Sequence, residues 1–235
     1  MTQIDCFSAQ KKELLEGCTV LSAFRTADGE IFIECEKRVA FVARRVADSL
    51  EKCGEFTPLL IAAAGDAARS FFSQKLEVVA DPDSLRLIAD CSLDMLTAAS
   101  SIDMPSAIRL TPDLDFPPDF SDIALGLTMG CEAYGVVERR SVLSAAYTFV
   151  PTSYLGDPLD GIEIGVETIE NKRGRGYATA AVRALAADLT GRGFRVLFSY
   201  YTDNEPSRRI ADAIGFCCHA VGFEIVLKGR NTHAL

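Results

Sequence analysis

The sequence contains no tryptophan, only two histidines and no apolar run long enough to cross a membrane. Its first residues also lack the apolar core of a signal peptide, so we expect a cytoplasmic protein with no membrane partner. The eight cysteines show neither a C-x-x-C motif nor the spacing of metal ligands. We therefore expect reduced, mostly buried cysteines and no bound metal.

Positive charge is also scarce, because 24 Lys and Arg residues are outnumbered by 33 Asp and Glu residues and the net charge is −9. Such an acidic chain argues against nucleic acid as a partner and favours cationic ligands only weakly. The chain has 235 residues, of which 49% are hydrophobic, enough to bury a substantial core. We expect a globular protein; its oligomeric state does not follow from the sequence, and a homodimer is compatible with it.

A basic, glycine-rich turn at residues 171–179 is the most informative feature that is present. Residues 161–168 before it alternate with period two, as in a strand, and apolar residues after it recur at helical spacing as far as Leu189. The turn is therefore predicted to lie at a helix N-terminus, where unpaired N–H groups and the helix dipole favour an anion.

The residues of the turn are suited to a pyrophosphate. Gly174 and Gly176 have no Cβ and allow close approach to the backbone, while Arg173 and Arg175 add charge. A few charge-assisted hydrogen bonds of roughly 1.5–3 kcal/mol each barely offset the roughly 4–15 kcal/mol cost of association, so we expect further contacts. The strand edge at 166–168 could pair with an extended, amide-bearing arm. A pyrophosphate with such an arm suggests coenzyme A.

A second motif follows one strand later, at residues 204–216, and begins Asn-Glu-Pro-Ser and ends in Gly-Phe. The order of the two motifs resembles the GNAT superfamily of acyl-CoA-dependent N-acetyltransferases. In that family a strand, the signature Gln/Arg-x-x-Gly-x-Gly/Ala and a helix bind the cofactor, and an Asn-x-x-Ser/Ala helix ending in Gly-Phe comes next. The resemblance covers roughly residues 107–228, is sharpest over 161–216 and is absent before about residue 105.

The resemblance implies an α+β fold of three layers (α/β/α), with a mixed, mostly antiparallel sheet flanked by helices. We predict this domain at residues 106–235, preceded at 1–105 by a small α/β subdomain of unknown role. Pro105 and the proline-rich segment 110–119 mark the boundary. Between residues 107 and 135 there is room for little more than one strand and one helix, whereas the family has a strand and two helices.

Hydrophobic periodicity gives a coarse assignment of the remaining elements. In the first part we expect strands at 30–36, 57–64 and 77–80 and helices at 39–50, 66–76 and 83–96. In the second part we expect a helix at 122–134, a hairpin at 135–150, a strand at 194–201 and a closing strand at 221–227.

The resemblance also implies a set of cofactor-binding residues on the strand end, the turn and the second motif. The strand end supplies a backbone N–H that stabilises the thioester oxygen. The predicted set is Val166, Glu167, Thr168, Arg173, Gly174, Arg175, Gly176, Tyr177, Ala178, Thr179, Asn204 and Ser207.

Acetyl transfer to an amine requires a base, because an amine with a pKa near 10.4 is neutral in only about one molecule per two thousand at pH 7. Glu163 and Glu167 lie on the same face of the predicted strand, with Gly165 between them. The resemblance puts Glu163 at about the position of the catalytic glutamate of some members, and we predict it as the base. The alternative to Glu163 as the base is a water held by backbone carbonyls. For Glu167, the alternative to a catalytic role is a purely structural one.

The usual general acid of the family is absent. Many relatives have a tyrosine seven residues after the asparagine of the second motif, where this chain has Ala211. Tyr200, Tyr201 and Ser207 are the nearby substitutes, and His219 is a further one. We include Tyr201 and Ser207 in the predicted catalytic set.

The sequence thus predicts an enzyme, an N-acetyltransferase that moves an acetyl group from acetyl-CoA to a primary amine of a small molecule by direct attack. Two alternatives stay open: a transferase acting on a protein lysine or N-terminus, and a catalytically silent module that binds acyl-CoA. The acceptor and the acyl group do not follow from the sequence.

Overall fold

The computed structural model describes residues 1–7, 18–72, 76–81, 85–91, 105–155 and 161–229. These residues form two compact units. The first unit is drawn from residues 1–87, 201–203 and 219–235, and the second from residues 88–200 and 204–218.

The described strands, numbered in chain order, are β1 Thr2–Phe7, β2 Thr19–Thr26, β3 Ile31–Glu36, β4 Leu76–Ala80, β5 Arg86–Cys91, β6 Ile108–Arg109, β7 Ala133–Glu138, β8 Ser141–Thr148, β9 Ile162–Thr168, β10 Val196–Tyr201 and β11 Cys217–Gly229. The described α-helices are α1 Ala40–Cys53, α2 Pro58–Arg69, α3 Ser121–Thr128, α4 Tyr177–Gly191 and α5 Glu205–Ile214. Short 3-10 turns precede α3 at Pro118–Phe120 and α4 at Glu170–Lys172.

The first unit is a sheet covered by two helices. Strand β1 pairs with β3 in parallel, β3 pairs with β2 antiparallel, and β11 pairs antiparallel with both β2 and β4. Helix α1 buries Val42, Val46 and Leu50, which share one helical face, in the same apolar core as Ile61 of α2. Because this apolar face is continuous along α1, the helix at Ala40–Cys53 nearly coincides with the predicted helix at 39–50.

The prediction of a strand at 57–64 is wrong, since this segment lies within α2. Thr57 caps the helix, its Oγ1 accepting the N–H of Leu60 at 3.2 Å, and Pro58 occupies the first turn. Both are helix-start signals, and they outweigh the apolar run that resembled a buried strand. The predicted helix at 66–76 is right only as far as Arg69, and the strand predicted at 77–80 corresponds to β4.

The predicted helix at 83–96 is also wrong where the structure describes it. Residues Arg86–Cys91 form strand β5, and residues 82–84 and 92–96 lie outside the described ranges. In the second unit β5 lies next to β10, and Asp90 Oδ2 accepts a hydrogen bond from Arg195 Nη2 at 2.9 Å. Pairing with a distant strand therefore overrides the local helical pattern.

The strands of the second unit follow the order β5-β10-β9-β8-β7-β6. Only the β9–β10 pair is parallel among the registers described here, and β6–β7, β7–β8 and β8–β9 are antiparallel. Neighbouring residues of β8 enter two different apolar clusters: Ala146 packs with α4 and α5, and Ala145 packs with α3. Since successive side chains of a strand point to opposite faces, helices flank both faces of this sheet. The expected mixed, mostly antiparallel α+β fold is confirmed.

Helix α3 is shorter than the predicted helix at 122–134. It ends at Thr128, and Gly130 then adopts a φ of 96°, a conformation that glycine reaches without strain. The chain turns there and enters β7 at Ala133.

The predicted division at residue 105 does not coincide with the segments of the two compact units. It stays a prediction, because compactness alone does not show that a segment folds independently. Among the described helices, none combines the length and the apolar character needed to span a bilayer.

Candidate functional site

The larger cavity of the second unit lies where the end of β9, the glycine-rich turn, and the first turns of α4 and α5 meet. Its volume is about 730 Å³, within the usual range of ligand pockets. The lining residues are Val166, Glu167, Thr168, Lys172, Arg173, Gly174, Gly176, Tyr177, Ala178, Thr179, Asn204, Pro206, Ser207, Arg209 and Ile210.

The glycine-rich turn is open toward a ligand. Gly174 and Gly176 have φ values of 74° and 76°, in the left-handed region. A Cβ at Gly174 would meet nothing within 4 Å, and one at Gly176 would meet only Pro105 Cδ, at 3.7 Å. Gly176 is also the N-cap of α4 and has no side chain with which to cap the helix. The first N–H groups of α4 are therefore left for an anion, as expected at a helix N-terminus.

Among the described residues, three cations line this cavity. Arg173 Nε donates to the carbonyl oxygen of Thr168 at 3.3 Å, which fixes the turn against the end of β9. Lys172 Nζ lies 3.4 Å from Glu138 Oε2, and Arg209 Nε lies 3.1 Å from Glu205 Oε1. The cavity thus combines positive side chains with the positive end of a helix dipole.

Helix α5 starts at the cavity with a side-chain cap. Asn204 Oδ1 accepts the N–H of Ser207 at 3.1 Å, and Pro206 occupies the first turn. Hydrogen bonds from Arg208 and then Arg209 hold the pKa of Glu205 below its ordinary value. Asn204 and Ser207 of the second motif therefore shape the cavity wall through helix capping.

One side of the end of β9 has no strand partner among the described residues. Strands β9 and β10 run together from Ile162 opposite Val196 to Ile164 opposite Phe198, and the described ladder ends there. The N–H of Ile162 points toward β10, where it donates to the Arg195 carbonyl at 2.8 Å. Peptide groups alternate along a strand, so those of Val166 and Thr168 also point to this side. Val166 and Thr168 lie beyond the last described β9–β10 pair, and both line the larger cavity.

Most of the predicted cofactor set comes together around this cavity. Arg175 is the exception, since it is exposed in the turn but is not a lining residue. Sequence reasoning missed four lining residues, namely Lys172, Pro206, Arg209 and Ile210. Lys172 lies within the basic turn and the other three lie within the second motif, so including every residue of both motifs would have found them.

A smaller cavity of about 280 Å³ opens in the same unit, bordered by α3, the ends of β7 and β8, and β9. The lining residues are Asp119, Asp122, Ile123, Gly126, Leu127, Cys131, Glu132, Ala133, Tyr147, Thr148, Phe149 and Glu167. Glu167 lines both cavities and so marks where the two meet.

Glu132 is the buried carboxylate of the smaller cavity, and its charge is compensated. Arg109 Nη2 and Arg192 Nη2 each lie 2.9 Å from one of its oxygens, and Thr152 Oγ1 donates to it at 2.7 Å. Burial alone would raise its pKa, but the hydrogen bonds from Arg192 and Thr152 and the charge of Arg109 hold the pKa of Glu132 below its ordinary value. The Glu132 carboxylate therefore links Arg109, Arg192 and Thr152 in the cavity wall and stays charged.

Two aromatic rings cover β9 between its two glutamates. The rings of Tyr147 and Phe149 pack edge to face, with centroids 5.4 Å apart and planes at 74°. A Cβ at Gly165 would lie 2.9 Å from Cζ of each ring, so only glycine fits beneath them. Burial, followed by the charges of Glu167 and Asp122, raises the pKa of Tyr147. The phenol thus stays protonated beside the cavity.

The predicted base, Glu163, lines neither of the two cavities. It is half-buried on β9, and its Oε1 accepts a hydrogen bond from Ser199 Oγ of β10. Glu167 shares its strand face but is exposed at the junction of the cavities. The catalytic role of Glu163 stays a prediction.

The predicted substitutes for the general acid lie in different places. Ser207 lines the larger cavity, whereas Tyr201 is grouped with the first unit and lines neither cavity. Burial, followed by the charge of Glu224, raises the pKa of Tyr201. Ala211, at the position of the usual tyrosine, is 1% exposed and packs in the core beneath α5. The roles of Ser207 and Tyr201 stay predictions.

Comparison with known families gives one sequence match. The family model described as FR47-like protein, which is related to the GNAT enzymes, matches residues 150–221. This range contains β10 and the elements that form the larger cavity, namely β9, the glycine-rich turn, α4 and α5. This match of residues 150–221 is the sequence evidence for a relation to the GNAT superfamily. No curated protein sequence matches the chain.

Solved GNAT structures are similar to the chain only at low identity. An acetyltransferase from the GNAT family of Novosphingobium aromaticivorans is 19% identical, covering 72% of this chain and 82% of its own, with a TM-score of 0.46. A GCN5-related N-acetyltransferase-like protein from Streptococcus suis is 17% identical, covering 71% and 68%, with a TM-score of 0.47. A tandem GNAT protein from the clavulanic acid biosynthesis pathway is 15% identical, covering 74% and 70%, with a TM-score of 0.46. The sequence match of residues 150–221 does not depend on these similarities.

Proposed function

We propose that this chain is a GNAT-type N-acetyltransferase that moves an acetyl group from acetyl-CoA to a primary amine of a small molecule. The observation that carries the proposal is that one residue, Glu167, lines two chemically different cavities. One has the chemistry to bind a pyrophosphate and an amide-bearing arm, and the other has carboxylates and aromatic rings suited to an amine.

The residues of the larger cavity fit coenzyme A at both ends. The helix N-terminus at Gly176 and the cations Lys172, Arg173 and Arg209 suit the pyrophosphate. The peptide group of Val166, which lies beyond the described β9–β10 ladder, suits an amide of the arm, which would add to the strand edge. When bound, acetyl-CoA supplies a thioester whose carbonyl carbon accepts a nucleophile and whose sulfur departs.

The chain's own groups then polarise the carbonyl and move protons. The N–H of Val166 points to the unpaired side of β9, where it can donate to the thioester oxygen as negative charge develops. In the net reaction a C–N bond forms and the thioester C–S bond breaks. An ammonium acceptor loses two protons, of which one ends on the departing sulfur and the other passes to solvent. A carboxylate on β9 can take the proton that must leave before the nitrogen attacks.

Departure of the thiol does not require the missing tyrosine. The position of that tyrosine is occupied by Ala211, which is buried in the core and has no titratable group. A thiol with an ordinary pKa near 8.5 can leave partly as thiolate. Ser207, in the wall of the larger cavity, and Tyr201 remain the proposed proton donors.

The size of the smaller cavity supports a small acceptor. At about 280 Å³ it is just below the usual range for ligand pockets and would hold a compact molecule. Transfer to a protein lysine and silent binding of acyl-CoA are the competing outcomes of the experiment.

Calorimetric titration with acetyl-CoA, followed by thiol release against polyamines, aminoglycosides, amino acids and lysine peptides, tests the proposal. We expect binding together with release that depends on a small amine. Release with lysine peptides alone would move the function to protein substrates. Binding without release by any acceptor would support the silent module, and failure to bind any acyl-CoA would overturn the proposal.

A further inference from the structure

The smaller cavity has the electrostatic character of a site for a cation. Asp119 and Asp122 line it from the segment that starts α3, and Glu167 lines it from β9. Among the described residues that line it, none is a lysine or arginine. Glu132 is already neutralised by two arginines, so the other three carboxylates are the ones that can attract a ligand.

The aromatic pair adds a second, independent reason. The faces of aromatic rings attract cations, and the rings of Tyr147 and Phe149 both line this cavity. Their position is fixed by Gly165, whose missing Cβ lets both rings lie against β9. A carboxylate wall that also holds two aromatic rings suits an alkyl ammonium, whose methylenes pack on the rings and whose charge reaches a carboxylate.

Two of these carboxylates, Asp122 and Glu167, come from different elements, α3 and β9, and line the same cavity as Tyr147. Tyr147 contacts the apolar cluster of α3, and its register partner across the sheet is Gly165 of β9. Its phenol is near enough to both Glu167 and Asp122 for each charge to act on it. A ligand that packs on this ring therefore lies in a cavity with carboxylates from both α3 and β9, and Glu167 of β9 also borders the larger cavity.

We propose that the smaller cavity binds a compact amine carrying a second positive charge, with Asp119 and Asp122 holding that charge and Glu167 meeting the reacting nitrogen. This assignment rests on the proposed acetyl transfer. Glu167 accepts one proton from the reacting ammonium, the nitrogen forms the amide C–N bond as the thioester C–S bond breaks, and Glu167 later releases its proton to solvent. The remaining proton lost by nitrogen accompanies the sulfur as the free thiol.

The test compares 1,4-diaminobutane with n-butylamine, which has the same carbon chain but one charge. The full chain is compared with Asp122→Asn, Glu167→Gln and the matched control Asp113→Asn, an exposed aspartate that lines neither cavity. We expect the full chain to prefer the diamine in kcat/KM, and Asp122→Asn to reduce that preference about tenfold. Glu167→Gln should lower kcat with both amines by about a hundredfold or more, and Asp113→Asn should change neither value.

Calorimetry with acetyl-CoA separates failure of this inference from failure of the proposed function. If the full chain does not bind acetyl-CoA, the proposed function fails. If it binds acetyl-CoA and acetylates amines, but shows no preference for the diamine or keeps that preference in Asp122→Asn, only the cation site is overturned. If it acetylates neither amine, titration of the coenzyme A-saturated protein with 1,4-diaminobutane decides: binding that Asp122→Asn weakens supports the site, and no binding overturns it.

Discussion

The two cavities described in the second unit share one residue, Glu167, but the charged side chains that otherwise line them differ in sign. The larger has a helix N-terminus, glycines and the cations Lys172, Arg173 and Arg209, whereas the smaller has Asp119 and Asp122 with an aromatic pair. In a chain with a net charge of −9, the positive cavity has to be built locally. The difference indicates that the overall acidity of the chain says little about its anionic ligand, because the helix end and a few side chains determine the local field.

The largest effect should come from filling the glycine turn of the larger cavity. Gly176→Val puts a β-branched side chain at a φ of 76° and at the start of α4, so we expect loss of acetyl-CoA binding by calorimetry. The matched control is Gly193→Val, which has a φ of 88°, open space around its Cβ and no place in either cavity.

Both valine variants should lose a similar amount of stability, about 1–2 kcal/mol, measured by thermal unfolding. Only Gly176→Val should lose binding. Equal binding by the two variants would show that the turn does not contact the cofactor.

This comparison also shows where sequence reasoning succeeds. The turn could be predicted because its determinants, Gly174, Gly176 and the strand and helix on each side, are close together in the chain. The smaller cavity could not be predicted, because it depends on the register that places Tyr147 opposite Gly165. A side chain on one strand then lies over a glycine of another, and no local pattern specifies that register. The same limit explains β5, which local periodicity assigned to a helix.

The next effect should be confined to the smaller cavity. Gly165→Ala would place a Cβ 2.9 Å from both aromatic rings, so Tyr147 and Phe149 must move. We expect kcat/KM for the acceptor to fall about tenfold through lost ring contacts, while the Kd for acetyl-CoA changes less than about twofold. Gly191→Ala, where a Cβ would meet nothing within 4 Å, is the matched control. A loss of acetyl-CoA affinity equal to the loss of acceptor efficiency would contradict the separation of the two cavities.

A smaller effect should follow from removing one cation of the larger cavity. Arg209 and Arg208 both pair with Glu205, at 3.1 Å and 2.6 Å, but only Arg209 lines the cavity. Because Arg209 is exposed, we expect Arg209→Ala to weaken acetyl-CoA binding by only about threefold to tenfold, and less at high salt. Arg208→Ala should leave the Kd unchanged, and a Kd that both substitutions weaken equally would point instead to the loss of helix α5.

The smallest effect should separate the two glutamates of β9. Glu163 is hydrogen-bonded to Ser199 and lines neither cavity, so we expect Glu163→Gln to lower kcat by less than about tenfold. Ser199→Ala removes the partner of the same hydrogen bond and should give a similar decrease, with acetyl-CoA affinity unchanged in both. If Glu163 is itself the base, Glu163→Gln should instead lower kcat by about a hundredfold or more. The kcat of Ser199→Ala should then stay near that of the unmodified chain. That outcome would return the base to the position predicted by the family resemblance and leave Glu167 as a wall of the two cavities.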